Sequence, residues 1–161
     1  MEIEKNKAKP GQYLTFQLKG QTYGFSIGIV REINRMMDIT PVPKTSPSLL
    51  GVMNLRGKVI PVVDLSLQLR LGEMQPTKNT CIIVTESEGG PVGVVVDVVN
   101  SVMEISDNQI EGLPTVSQSD ETKFVVGLAK IDAMVVILVD IILVLKKEIL
   151  HGGSNLAAEA T

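Results

Sequence analysis

At 161 residues the chain is long enough for one domain of ordinary size or two very small ones. It is 44% hydrophobic and mostly aliphatic, with 3% aromatic residues and a net charge of −3. The absence of a basic block and the scarcity of aromatics exclude a nucleic-acid-binding surface, which needs clustered Lys and Arg or base-stacking rings. One cysteine, Cys81, and one histidine, His151, exclude an internal disulfide and any Cys/His metal site.

In chain order, residues 1–11 (MEIEKNKAKPG) form a polar lead-in with no apolar signal core, which points to the cytoplasm. YLTFQL and TYGFSI alternate about Lys-Gly-Gln and predict a hairpin. IGIVREI spaces Ile27, Val30 and Ile33 as one face of a short helix, with Glu32 on its outer side. In TPVPKTSPS, Ser46-Pro47 has the form of an N-cap followed by proline in the first helical turn. GVMNLRGKVIPVVDLSLQL, residues 51–69, predicts a hairpin with its tip at Arg56-Gly57. Pro61, which cannot donate to a ladder, marks an edge strand or a bulge.

TCIIVTESEGGPVGVVVDVV predicts a hairpin about Glu-Ser-Glu-Gly-Gly, and Ser106 to Gln109 has capping-box spacing for one helical turn. Residues 114–122 are a polar loop. FVVGLAKIDAMVVILVD is a third hairpin and IILVLKKEIL a C-terminal helix. The run Met134 to Leu145 holds only twelve apolar positions, with Asp140 inside it. A bilayer core needs about 18 or more, so this is a buried strand running into a buried helix. Residues 151–161 have nothing to anchor them.

The chain repeats itself. Residues 51–69 align without gaps on residues 127–145, a shift of 76, with Gly51/Gly127 and Asp64/Asp140 among six identities in 19 positions. Upstream, YGFSIGIVREI matches VGVVVDVVNSV, pairing Gly24 with Gly93 and Val30 with Val99. Two similar β units follow, each too small to bury much core alone, so the two pack on each other.

Few residues offer chemistry. Gly51 to Lys58 has the wrong spacing for a P-loop and precedes a strand, not a helix. Asp64 and Asp140 could act as paired carboxylates in a small β enzyme or ligand-binding protein. Both also stand where a helix N-cap belongs, and capping explains both positions at once. Cys81 lies among aliphatics as an inert buried thiol, with no neighbouring base to activate it. Arg56 differs: the second copy has Asp132 at that hairpin tip, so the copies agree in their cores and reverse charge there. Arg56 and Glu32 interrupt otherwise aliphatic segments. They are candidates for recognition of a partner, against the plainer reading of solvated charges. A dimer built through the Pro61 strand is a further reading.

GVMNLRGKVIPVVDL, with YGFSIGIVREI upstream and VGVVVDVVNSV and VVILVDIILVL downstream, resembles the signature of the CheW family of chemotaxis coupling proteins. The likeness spans about residues 12–150. It implies a mainly β fold of two packed five-stranded SH3-like barrels with short helices and a C-terminal helix. The subdomains fall at about 12–78 and 79–150, with exchange of strands between them left open. It implies a non-catalytic, cofactor-free adaptor, monomeric in isolation, at receptor arrays. Its expected partners are the cytoplasmic tips of methyl-accepting chemoreceptors and the regulatory domain of the histidine kinase CheA. Carried over by position, the receptor contacts are Ile27, Val30, Glu32, Asn54, Arg56, Val96, Val98 and Val99; those for the kinase are Ile39, Val42 and Pro43.

Overall fold

The computed structural model describes residues 8–43, 46–112 and 124–148. The chain is mainly β. It runs β1 (Gly11–Leu18), β2 (Gln21–Ser26), β3 (Val30–Arg35), β4 (Leu49–Leu55), β5 (Lys58–Asp64) and α1 (Leu65–Gln68). The second half supplies β6 (Cys81–Thr85), β7 (Val92–Val96), β8 (Val98–Ile105), β9 (Ile110–Glu111), β10 (Val125–Ile131), β11 (Met134–Val139) and α2 (Ile141–Glu148). The polar loop expected at 114–122, His151 and the tail after it lie outside the described residues.

The strands form a six-stranded sheet, β8-β1-β2-β11-β10-β9, and a five-stranded sheet, β3-β6-β7-β5-β4. Each sheet draws strands from both halves of the chain. The repeat governs this exchange down to register. Val62 of β5 pairs in parallel with Gly93 of β7, and its repeat mate Leu138 of β11 pairs in parallel with Gly24 of β2. A bulge sits between Leu49 and Gly51 in one sheet and between Val125 and Gly127 in the other. A second matched pair of bulges leaves Arg31 extra on β3 and Asn100 extra on β8.

Strand alternation sends side chains to opposite faces, so each sheet feeds two cores. One face of both sheets builds a shared central cluster around Phe16, Phe25, Val94, Val96, Leu65 and Leu145. The other faces line separate interiors, Met53, Ile60 and Ile82 in the five-stranded sheet and Tyr13, Val136 and Leu138 in the six-stranded one. This explains why β7 is buried at every position: both of its faces meet a core.

Four local expectations change. IGIVREI is not one helix: a 3-10 turn at Ile27–Ile29 gives way to β3, so Glu32 sits on a strand. Period-two alternation puts Glu32 and Asn34 on the more covered side and exposes Ile33. Ser46-Pro47 begins a tight turn and not a helix: the Ser46 hydroxyl accepts from the Ser48 amide, and the Ser46 carbonyl from the Leu49 amide. β5 is internal, flanked by β4 and β7, so Pro61 marks no sheet edge, and the bulge of that hairpin lies at Leu49–Gly51. Pro61 is tolerated because the ladder to β7 begins only at Val62. Finally, Ala8 is buried and its amide donates to the Val126 carbonyl at 3.1 Å, so the ordered chain starts before Gln12.

Candidate protein-docking site

The β4–β5 tip turns on two residues with positive φ, Arg56 at 53° and Gly57 at 89°. Two left-handed residues in a two-residue loop match the twist of a hairpin, and glycine meets half of that demand. A non-glycine residue there is uncommon. Asn54 secures it, because its side-chain oxygen accepts the Gly57 amide at 2.8 Å. Asn54 therefore holds the turn that presents Arg56.

Arg56 reaches across to β3. Its Nη2 donates to both carboxylate oxygens of Glu32, at 3.0 and 2.8 Å. β3 and β4 are the two outer strands of the five-stranded sheet, so the pair spans the mouth left where the curled sheet fails to close. The Arg31 bulge aims the strand for this: Val30, before it, packs against the central cluster, while Glu32, after it, reaches Arg56. A cleft of about 330 Å³ opens beside the pair, walled by Arg31, Glu32, Arg56 and Lys58 over Leu55 and Ile60. Arg31 is itself paired with Glu86 at 2.9 Å.

The Arg56 guanidinium holds the Glu32 carboxyl below its ordinary range, and desolvation opposes this. The Arg56 side chain is 71% exposed and that of Glu32 28%. Both bonds use Nη2 of Arg56, and the side chain stays largely exposed while making them.

The other candidates separate into groups. Ile27, Val30 and Val99 are partly buried against the central cluster and keep accessible surface. Val98 is half-buried on β8, an outer strand of the other sheet. Val96 has 0% exposure inside the central cluster and cannot touch a partner; it can only support what lies above it. Ile39 packs on the interior of the five-stranded sheet, Val42 packs on the central cluster, and Pro43 is exposed. That segment is strapped to the outer strand β4 by reciprocal Thr40–Val52 backbone bonds of 2.8 and 2.9 Å.

The two carboxylates are helix caps. Asp64 Oδ1 accepts the Leu67 amide at 3.3 Å and its Oδ2 the Met74 amide at 3.1 Å. Asp140 Oδ1 accepts from Ile142 and Leu143 at 3.0 and 3.2 Å. Cys81 is half-buried, with its thiol donating to the Asn79 carbonyl. No group of His, Cys, Asp and Glu among the described residues could hold a metal ion, and no described helix is long and apolar enough to cross a membrane.

The family of CheW-like domains matches residues 12–148. The chain belongs to the CheW-like family. The chemotaxis protein CheW of Rhizobium meliloti is 33% identical over 81% of this chain and 84% of its own length. That of Thermotoga maritima is 35% identical over 88% and 91%. The crystal structure of the scaffolding protein TtCheW from Thermoanaerobacter tengcongensis superposes with a TM-score of 0.76 at 36% identity, covering 84% of this chain and 92% of that one. These relatives place the CheW-like chain among the scaffold proteins of chemotaxis, with the mainly β, SH3-like architecture of its solved neighbour.

The Arg56–Glu32 contact is what sequence reasoning missed. Both residues stood out singly, but 24 positions separate them, and Glu32 read as helical. The repeat held a signal: Arg56 and Asp132 differ in charge at matched tips, as do Glu32 and Ser101 at matched strand positions.

Proposed function

We propose that this CheW-like chain is a cytoplasmic, non-catalytic adaptor that couples methyl-accepting chemoreceptors to the histidine kinase CheA. The observation that carries the reading is the largely exposed Arg56–Glu32 pair at the open mouth of the five-stranded sheet. Aliphatic surface at Ile27, Val30, Val98 and Val99 supplies the apolar contact that a helical receptor tip requires. Charge at the rim fixes orientation and selects partners more than it adds affinity. Asn54 acts through the turn and holds Arg56 in place.

The kinase side falls to the strap around Ile39, Val42 and Pro43, which lies along β4 and is anchored there by the Thr40–Val52 bonds. The core makes the coupler stiff, since β7 is buried throughout and both sheets share one cluster. Signalling on this reading is a change in how receptor and kinase seat on a rigid body. The reading of Asp64 and Asp140 as catalytic carboxylates has less support, because both are committed to backbone amides.

The test is reconstitution. The purified chain is mixed with receptor-bearing membranes and purified CheA-type kinase, then sedimented. Kinase should enter the membrane pellet only when the chain is present, and its autophosphorylation should respond to receptor ligand. Kinase that stays in the supernatant with the chain present overturns the proposal.

A further inference from the structure

The cleft beside the Arg56–Glu32 pair carries a charge that its counterpart in the other sheet lacks. Arg31, Arg56 and Lys58 stand on its walls with one carboxylate, Glu32. Glu86, just outside, pairs with Arg31, so cations still lead carboxylates by three to two. This surplus sits on a chain whose net charge is −3.

The repeat supplies an internal control. The residues matched to Arg31, Glu32, Arg56 and Lys58 are Asn100, Ser101, Asp132 and Met134. The first set holds three cations and one carboxylate, and the second holds one carboxylate and no cation. Below the rim the copies agree, since Leu55 and Ile60 correspond to Ile131 and Val136. The aliphatic floor therefore belongs to the shared fold, and the positive rim belongs to one copy.

Lys58 is placed to use that rim. It opens β5, and period-two alternation sets it on the face of Ile60 and Val62, which line the sheet interior. It pairs with Leu55 across the ladder, so its exposed side chain stands at the lip of the cleft. Arg56 and Arg31 each face a carboxylate of the chain itself, at 2.8 and 2.9 Å. The surplus charge is therefore that of Lys58. A lysine is a point charge on a flexible stem, and it meets a carboxylate without the fixed fork geometry of a guanidinium. The cleft, of about 330 Å³, has room for one long side chain with water around it. Glutamate suits both parts: its methylenes lie toward Leu55 and Ile60, and its carboxylate reaches Lys58.

We propose that Lys58 determines partner specificity at this mouth by binding a glutamate of the helical partner. This rests on the receptor reading above, and the glutamate is one carried by the receptor tip beside the Arg56–Glu32 pair. Arg56 and Glu32 orient the helix, and Lys58 selects the carboxylate. A partner lysine at that place meets a wall that already holds three cations and is rejected.

The experiment is a charge exchange, read as binding of the full chain to a soluble helical-hairpin fragment of a methyl-accepting chemoreceptor tip. Lys58→Met gives the mouth the residue of its own repeat mate, so the fold should accept it, and thermal unfolding checks this. At low salt, binding should weaken about three- to tenfold in Lys58→Met and more than about tenfold in Lys58→Glu. Binding of a CheA-type kinase should not change. Each glutamate of the fragment is then changed singly to lysine. One of these fragments should bind Lys58→Glu within about threefold of the parent pair. Parent binding that Lys58→Glu leaves unchanged, or a loss that no lysine-bearing fragment restores, overturns the proposal and leaves the receptor reading standing. Loss of kinase binding in place of receptor binding overturns it as well. A fragment that the parent chain does not bind at all overturns the receptor reading, and the proposal with it.

Discussion

The two sheets are built to one plan and finished differently. They share the parallel register at Val62–Gly93 and Leu138–Gly24, the bulges at Gly51 and Gly127, and the capping aspartates Asp64 and Asp140. Even the strand-end bonds match, since the Asp64 amide donates to Ser48 and that of Asp140 to Phe124, both at 2.8 Å. They part at the mouths. The five-stranded sheet is bridged by the Arg56–Glu32 pair between its outer strands. At the same places the six-stranded sheet carries Asp132 and Ser101, and it adds β9 alongside β10. Features shared by both copies belong to folding. A feature confined to one copy is where function has room to act, and the aimed arginine is confined to one copy.

Substitutions at the matched glycines sharpen this comparison most. A Cβ on Gly51 would lie 2.2 Å from the Thr40 carbonyl oxygen, at a φ of +148° that side chains rarely adopt. On Gly127 the nearest atom would be Ala8 Cβ at 3.2 Å. Gly51→Ala should therefore cost roughly 2–4 kcal/mol in urea unfolding, and Gly127→Ala about 1 kcal/mol. Equal costs would mean that the Thr40 strap yields freely.

The caps come next. Asp64 is buried and serves two amides, whereas Asp140 is half-buried and serves α2 alone among the described residues. Asp64→Ala should cost about 2–3 kcal/mol and Asp140→Ala about 1 kcal/mol by thermal unfolding. A reversal of that order would remove the Met74 contact from the account.

The mouths should matter least to stability. Arg56→Ala and Asp132→Ala should both leave the unfolding midpoint nearly unchanged, since exposed charges contribute little, but only Arg56→Ala should weaken receptor binding. A smaller effect is electrostatic. With its carboxyl held low by Arg56, Glu32 should titrate by NMR below the ordinary glutamate value and return toward it in Arg56→Ala. The sign follows: a depressed folded value adds stability above the unfolded value, and that stability is lost as pH falls through the folded one. The mouth should therefore loosen only in acid, as pH falls through the depressed Glu32 value.

Much of this was legible in the residues. The repeat exposed the shared core and the caps, because matched Gly and Asp positions do not arise from aliphatic bias. Turn chemistry located the hairpins at Lys19-Gly20 and Arg56-Gly57. Short segments were harder. Ile27, Val30 and Ile33 fit a helical period by coincidence, and a three-residue 3-10 turn followed by a bulged strand breaks both simple periods. Val96 looked available because β7 has no polar face to betray that both sides are covered. The Arg56–Glu32 pair depends on the curl of a whole sheet, which no local pattern encodes.

The central claim is that Arg56 recognises a partner and does not hold the fold together. Arg56→Glu tests it, with sedimentation against receptor-bearing membranes run beside thermal unfolding. The account predicts an unfolding midpoint close to that of the parent chain and loss of receptor binding and of kinase stimulation. Receptor binding that survives intact in a folded Arg56→Glu chain would contradict it.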